Sequence, residues 1–133
     1  AWQAQFPFRT MLADGWPISG SSDVWVGSDE HQSNPFRSIA ATLNRRTFHG
    51  QLLAEEERLN PWQALWMHTA GGAHALGRAG EVGSLTPGAC ADFAVLDTNP
   101  LTCDIDAVES ISVQDVFLSG RSVLRSQAVP DLT

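Results

Sequence analysis

Apolar positions recur at i, i+3, i+4 and i+7 through Phe36, Ile39, Ala40 and Leu43, the spacing of one face of an amphipathic helix. Asn34-Pro35 stands just ahead as an N-cap followed by proline at the first helical position. Arg45-Arg46 closes the segment, where positive charge suits the negative end of the helix dipole. A second start, Asn60-Pro61, has Gln63 at the capping-box position. Trp62, Leu65, Trp66, Thr69 and Ala73 mark its predicted inward face. Gly71-Gly72 within it costs about 1 kcal/mol per glycine against alanine, which predicts close backbone packing or a break. The intervening residues 47–59 read as a connection, with Glu55-Glu56-Glu57 a solvated face. Near the start, Phe8, Met11 and Leu12 keep helical spacing until Asp14-Gly15 turns the chain.

Elsewhere the period shortens. Gly15-Trp16-Pro17-Ile18-Ser19-Gly20-Ser21-Ser22-Asp23 reads as a buried parallel strand, confined by Pro17 to about Trp16–Gly20, that delivers Asp23 at its carboxyl end. A polar loop follows Val26. After Gly77, the glycines at 77, 80 and 83 punctuate a loop, and Ser84–Gly88 reads as a short strand and turn. Asp92–Asp97 reads as a compact buried strand. Val113–Leu118 and Arg121–Leu124 flank Ser119-Gly120, a two-residue hairpin signal. The tail beyond Arg125 is expected to fray.

With 43% hydrophobic and 17% charged residues the chain is globular. A net charge of −7, with eight Lys and Arg that form no patch, argues against nucleic acid and anionic membranes as partners. No apolar run reaches membrane-helix length and no signal-peptide pattern is present, so the expectation is a soluble, cytoplasmic protein. Cys90 and Cys103 are expected as reduced, packed thiols, and neither has metal-site spacing. Ser22 is not in a Gly-x-Ser-x-Gly elbow. The glycines at 77, 80 and 83 follow a helix rather than a strand, which removes a dinucleotide loop.

Four blocks, in order, resemble the carboxyl-terminal portion of the metal-dependent amidohydrolases, and most closely amidohydrolase family 3 and the N-substituted formamide deformylase-like branch. They are Gly20-Ser21-Ser22-Asp23, the helix from Asn34-Pro35 to Arg45-Arg46, the helix carrying Ala64-Leu65, Thr69 and Ala73, and Gly83-Ser84-Leu85-Thr86-Pro87-Gly88-Ala89-Cys90-Ala91-Asp92-Phe93-Ala94-Val95-Leu96-Asp97. The last block is the most specific. Val116 to Val123 is similar to the hairpin that closes the family's small β-sandwich. The sequence departs from the pattern at Trp25, where many relatives have proline, and at Ser21, where they have glycine.

The resemblance implies an α/β fragment: the last strand and helices of a (β/α)8 barrel, then short strands of a β-sandwich. A complete barrel takes about 250 residues, against 133 here. The implied division is 1–80 for barrel, 81–125 for sandwich and 126–133 for a tail. The implied activity is metal-dependent hydrolysis of carbon–nitrogen bonds other than peptide bonds, in an amide, formamide or cyclic amide, with the fragment itself inactive. Asp23 is the implied catalytic residue and metal ligand, of a divalent metal with zinc the default; the alternative is a buried aspartate capping its loop through Ser21 or Ser22. Ser22, Trp25 and His31 are substrate-proximal candidates, whereas His49, His68 and His74 read as surface or packing residues. The substrate is a small molecule. Trp16, Trp25, Trp62 and Trp66 would need cover if the rest of a barrel were absent, which predicts a homo-oligomer through the exposed barrel-facing surface. The competing expectation is a self-standing, non-catalytic α+β module that binds a protein partner.

Overall fold

The computed structural model describes residues 5–25, 27, 31–47 and 49–124. Val26 and residues 28–30 of the polar loop lie outside the described residues, as does the tail 126–133. The order is α1 (Phe8–Ala13), α2 (Pro35–Asn44), a 3-10 turn (Glu55–Glu57), α3 (Pro61–His68), α4 (Ala70–Ala75), β1 (Phe93–Leu96), a 3-10 helix (Ile105–Ser110), β2 (Val113–Leu118) and β3 (Arg121–Ser122).

Helix α2 forms as its local signals dictate. The Asn34 side chain accepts from Phe36 N–H at 3.0 Å, Pro35 occupies the first turn, and Phe36, Ile39, Ala40 and Leu43 are buried. The core gathers where this face meets Leu59, Ala64 and Met67 on one side and Val108 and Ile111 on the other. The end of α2 differs from expectation. Arg45 is a left-handed C-cap at φ 54° and its guanidinium is buried. It donates to Leu53 O at 3.0 Å and Gln5 O at 2.8 Å and lies 5.5 Å from the Phe8 ring centroid. It ties three segments together rather than answering the helix dipole.

Helix α3 carries its full capping box: Gln63 N–H donates to Asn60 Oδ1 at 2.9 Å, and Asn60 N–H donates to Gln63 Oε1 at 3.0 Å. Its inward face is only partly the expected one: Leu65 and Trp66 pack against the core and Ala73 is buried. Ala64 and Met67 are buried while Trp62 is 62% exposed, because small Ala64 lets α3 approach α2 closely where a tryptophan would hold it off. The helix breaks at Thr69 (φ −122°, ψ −95°) and resumes as α4. The acidic run also divides. Glu55 and Glu56 are exposed, but Glu57 is buried and accepts from the backbone N–H and hydroxyl of Thr10, capping α1 across the fold.

The second half is a three-stranded antiparallel sheet in the order β1-β2-β3. Phe93 pairs with Phe117, their rings stacked with centroids 4.6 Å apart. Ser119 (φ 49°) and Gly120 (φ 76°) make the two-residue turn the hairpin signal predicts. Asp92 Oδ1 accepts from Ser119 N–H at 2.7 Å, and Asp97 Oδ1 from Ser112 N–H at 3.0 Å, so the acids flanking β1 pin both ends of the sheet. Two expectations are corrected. Strand β1 is an edge, with Ala94 and Val95 exposed, and Ser84–Gly88 forms a turn but no strand, closed by Ala89 N–H to Thr86 O at 3.1 Å. Cys90 and Cys103 are free thiols; Cys90 is exposed rather than packed, while Cys103 packs against the core.

Candidate functional site around Asp23

The segment from Trp16 to Trp25 forms no strand and joins no strand ladder among the described residues, and a tight turn closes Ile18 N–H onto Trp16 O at 2.9 Å, so the expected buried strand is corrected to an irregular segment. It is seated instead on the carboxyl end of α3 and the start of α4. Gly20 N–H donates to Met67 O at 3.0 Å. A Cβ at Gly20 would collide with the His68 imidazole, and one at Gly71 would lie 2.7 Å from the carbonyl oxygen of Ile18. Glycine on both partners lets the two backbones meet.

Along this seat the side chains alternate. Ile18, Gly20 and Ser22 are partly buried, whereas Ser19, Ser21 and Asp23 are exposed, a two-residue period. Asp23 therefore stands on the open face. Its φ is 48°, in the left-handed region, which aspartate enters more readily than most residues. Its N–H donates to Ser21 Oγ at 3.2 Å, and the preceding carbonyl, of Ser22, accepts from Gln32 Nε2 at 3.1 Å. The alternative of a buried aspartate that caps its loop is thus reversed: Asp23 is exposed and Ser21 caps it.

The other candidates lie around this segment. Ser22 is half-buried and, with Ser21, Gln32, Arg37 and Ser38, lines a cavity of about 290 Å³. Trp25 is 68% exposed, its ring over Gly27. His31 is exposed at the turn before α2, where its carbonyl accepts from Asn34 N–H at 3.0 Å. His68 is a packing residue: its Nε2 is buried without a hydrogen-bond partner among the described residues, and burial pushes its pKa below the usual histidine value. At the other end of the segment Leu12, Trp16, Pro17, Trp62 and Trp66 line an apolar groove of about 470 Å³.

A carboxylate presented this way can accept a proton or supply one oxygen to a cation. Among the described residues no three His, Cys, Asp or Glu side chains converge to hold a metal ion, so the donor set here does not amount to a metal centre. Gln32 is absent from the residues that sequence reasoning singles out, because no local pattern marks it. Ser21 enters there as part of the Gly20–Asp23 block, as a departure from glycine and as a possible cap partner, although a serine two residues before a loop aspartate is also a recognisable turn signal.

The sequence profile of the amidohydrolase family matches residues 1–124. The chain is 32% identical over 115 residues to an N-substituted formamide deformylase of Arthrobacter pascens, covering 86% of this chain and 20% of that protein. It is 40% identical over 89 residues to an imidazolonepropionase of Salinispora arenicola, covering 67% of this chain and 19% of that one. With the imidazolonepropionase of Nocardia farcinica it shares 56% identity over 74 residues, covering 56% of this chain and 17% of that one. A crystal structure of an amidohydrolase superposes with a TM-score of 0.58 at 25% identity, covering 85% of this chain and 24% of that chain. The chain thus spans about a fifth of the length of these curated relatives.

Proposed function

The chain belongs to the amidohydrolase family, and on that premise we propose that it is the carboxyl-terminal part of a hydrolase that cleaves carbon–nitrogen bonds other than peptide bonds. The substrate class is a small amide, formamide or cyclic amide, in line with relatives named for a substituted formamide and for imidazolonepropionate. In this reading residues 1–80 are the last strand and helices of a (β/α)8 barrel, and 81–125 enter a small β-sandwich. The segment ending at Asp23 is the last barrel strand, and its missing ladder partners belong to the rest of the parent. The parent is proposed to be cytoplasmic, a compartment that suits the free thiols of Cys90 and Cys103.

The observation that carries the proposal is the exposed Asp23 carboxylate at the end of a segment anchored through Gly20 and Gly71. Asp23 accepts the proton of the attacking water and returns it to the leaving amine, a transfer worth about 10²–10⁴-fold. Asp23 also contributes one ligand to a divalent metal, with zinc the first candidate; the other ligands are assigned to parts of the parent outside the described residues. Ser22, Trp25 and His31 border the substrate. The 133-residue chain alone is inactive, and its exposed tryptophans pair it with a second copy.

The test is turnover by the full-length parent on a panel of N-substituted formamides and cyclic amides. Asp23→Asn should lower kcat by at least about 100-fold, and the isolated chain should show no turnover. Native rates from the Asp23→Asn parent would overturn the assignment.

A further inference from the structure

We propose that Ser21 and Gln32 are positioning residues for Asp23, gripping from two edges the one peptide unit that precedes its carboxylate. The inference rests on the catalytic reading of Asp23. That peptide has two polar groups and both are held by side chains. The Ser22 carbonyl accepts from Gln32 Nε2 at 3.1 Å, and the Asp23 N–H donates to Ser21 Oγ at 3.2 Å. Because a peptide unit is planar, hydrogen bonds on its opposite edges fix the rotation of the whole plane.

The orientation of this plane governs where the Asp23 side chain points. Asp23 has φ 48°, a region that L residues occupy at a cost and leave unless the surroundings hold them there. The chain behind cannot turn as a body, since Gly20 is tied to Met67 O and the Ile18 carbonyl packs against Gly71. The last joint between that anchored stretch and the carboxylate is the peptide that Ser21 and Gln32 grip. The two grips come from different elements. Ser21 belongs to the segment itself, while Gln32 belongs to the turn that leads into the Asn34 cap of α2. The Asp23 carboxylate is thereby referenced to α2 as well as to α3 and α4. Neither residue needs to touch substrate; each acts through Asp23.

The test uses the full-length parent. Ser21→Ala and Gln32→Leu should each lower kcat about tenfold while leaving KM within about twofold, since the loss is of placement and not of binding. Ser21→Thr, which keeps the hydroxyl, should restore kcat to within about threefold. A crystal structure of the Ser21→Ala parent should show the Asp23 carboxylate displaced and its φ outside the left-handed region. The inference is overturned if both variants turn over at the native rate while Asp23→Asn is dead. It is equally overturned if kcat falls but Asp23 stays in place in the variant crystal. Native turnover by Asp23→Asn is the separate outcome in which the functional reading fails and takes this one with it.

Discussion

Two adjacent glycines in α4 should respond to the same substitution with opposite signs. A Cβ at Gly71 would lie 2.7 Å from Ile18 O, 3.0 Å from the Trp66 ring and 3.1 Å from Trp66 O. An ordinary carbon–oxygen contact is about 3.3–3.6 Å, so Ile18 would have to recede by about 0.6–0.9 Å, against a backbone that Gly20 ties to Met67. Overpacking of this kind costs about 1–3 kcal/mol. The gain in helix propensity from glycine to alanine offsets at most about 1 kcal/mol. With that offset taken in full, Gly71→Ala should still destabilise the chain by up to about 2 kcal/mol.

At Gly72 the nearest atom to an added Cβ is Met67 O at 3.9 Å, an ordinary contact, so Gly72→Ala should stabilise by up to about 1 kcal/mol. Urea titration followed by tryptophan fluorescence reads both, because Trp66 lies at the contact. With a slope of about 2 kcal/mol per molar, the Gly71→Ala midpoint should fall by up to about 1 M and that of Gly72→Ala should rise by up to about 0.5 M. If Gly71→Ala raised the midpoint as much as Gly72→Ala, the segment 16–25 would not be packed on α4, and the anchoring of Asp23 would be lost with it.

Glu57 should make stability depend on acid. The Thr10 hydroxyl, then the Thr10 N–H, hold its carboxyl below the usual carboxylate range, with smaller help from the Arg9 N–H and the Arg45 charge against an opposing burial effect. A depressed pKa stabilises the fold above the unfolded value, about 4.3, and that contribution is lost as pH falls through the folded value. The effect is that of a helix cap, about 1 kcal/mol. The stability gap between the native chain and Glu57→Gln should be full at pH 7 and shrink as pH falls below about 4.3; a gap that does not change with pH refutes it. Self-association is the remaining expectation: sedimentation equilibrium should show the isolated chain pairing, and Trp16→Ser or Trp62→Ser should each weaken it about tenfold, whereas a monomer at all concentrations favours the independent module.

What can be read from the sequence is local. The Asn34 and Asn60 caps, the Phe36–Leu43 face and the Ser119-Gly120 turn each depend on residues within a few positions of one another, and each forms as its pattern predicts. The face of α3 departs from its pattern because apolar does not mean buried. Trp62 is apolar and outward, while Ala64 is buried because it is small. Glu57 looks like its exposed neighbours because the group that recruits it, Thr10, lies 47 residues earlier. Arg45 repeats the case, reaching Gln5 from 40 residues away. No periodicity records such partnerships.

The site divides along the same line. Asp23 and Ser21 lie two residues apart and are both visible in the sequence, one as a carboxylate at a strand end and the other as its neighbouring hydroxyl. Gln32, from beyond the loop, is not. In the proposed reading, the absence of ladder partners for 16–25 and of a metal-ligand cluster among the described residues, and the exposed tryptophans, share one cause, a parent barrel of which this chain would be a part. A barrel strand takes its ladder from neighbouring strands, and a segment deprived of them must find other anchors for its backbone. Here those anchors are Met67 O, the glycine contact at Gly71 and the Gln32 amide. All three come from helices and turns outside the segment, and Ser19, Ser21 and Asp23 stay exposed. In the proposed reading that exposure suits a strand facing a barrel interior, where one face is held by the helices and the other presents the carboxylate.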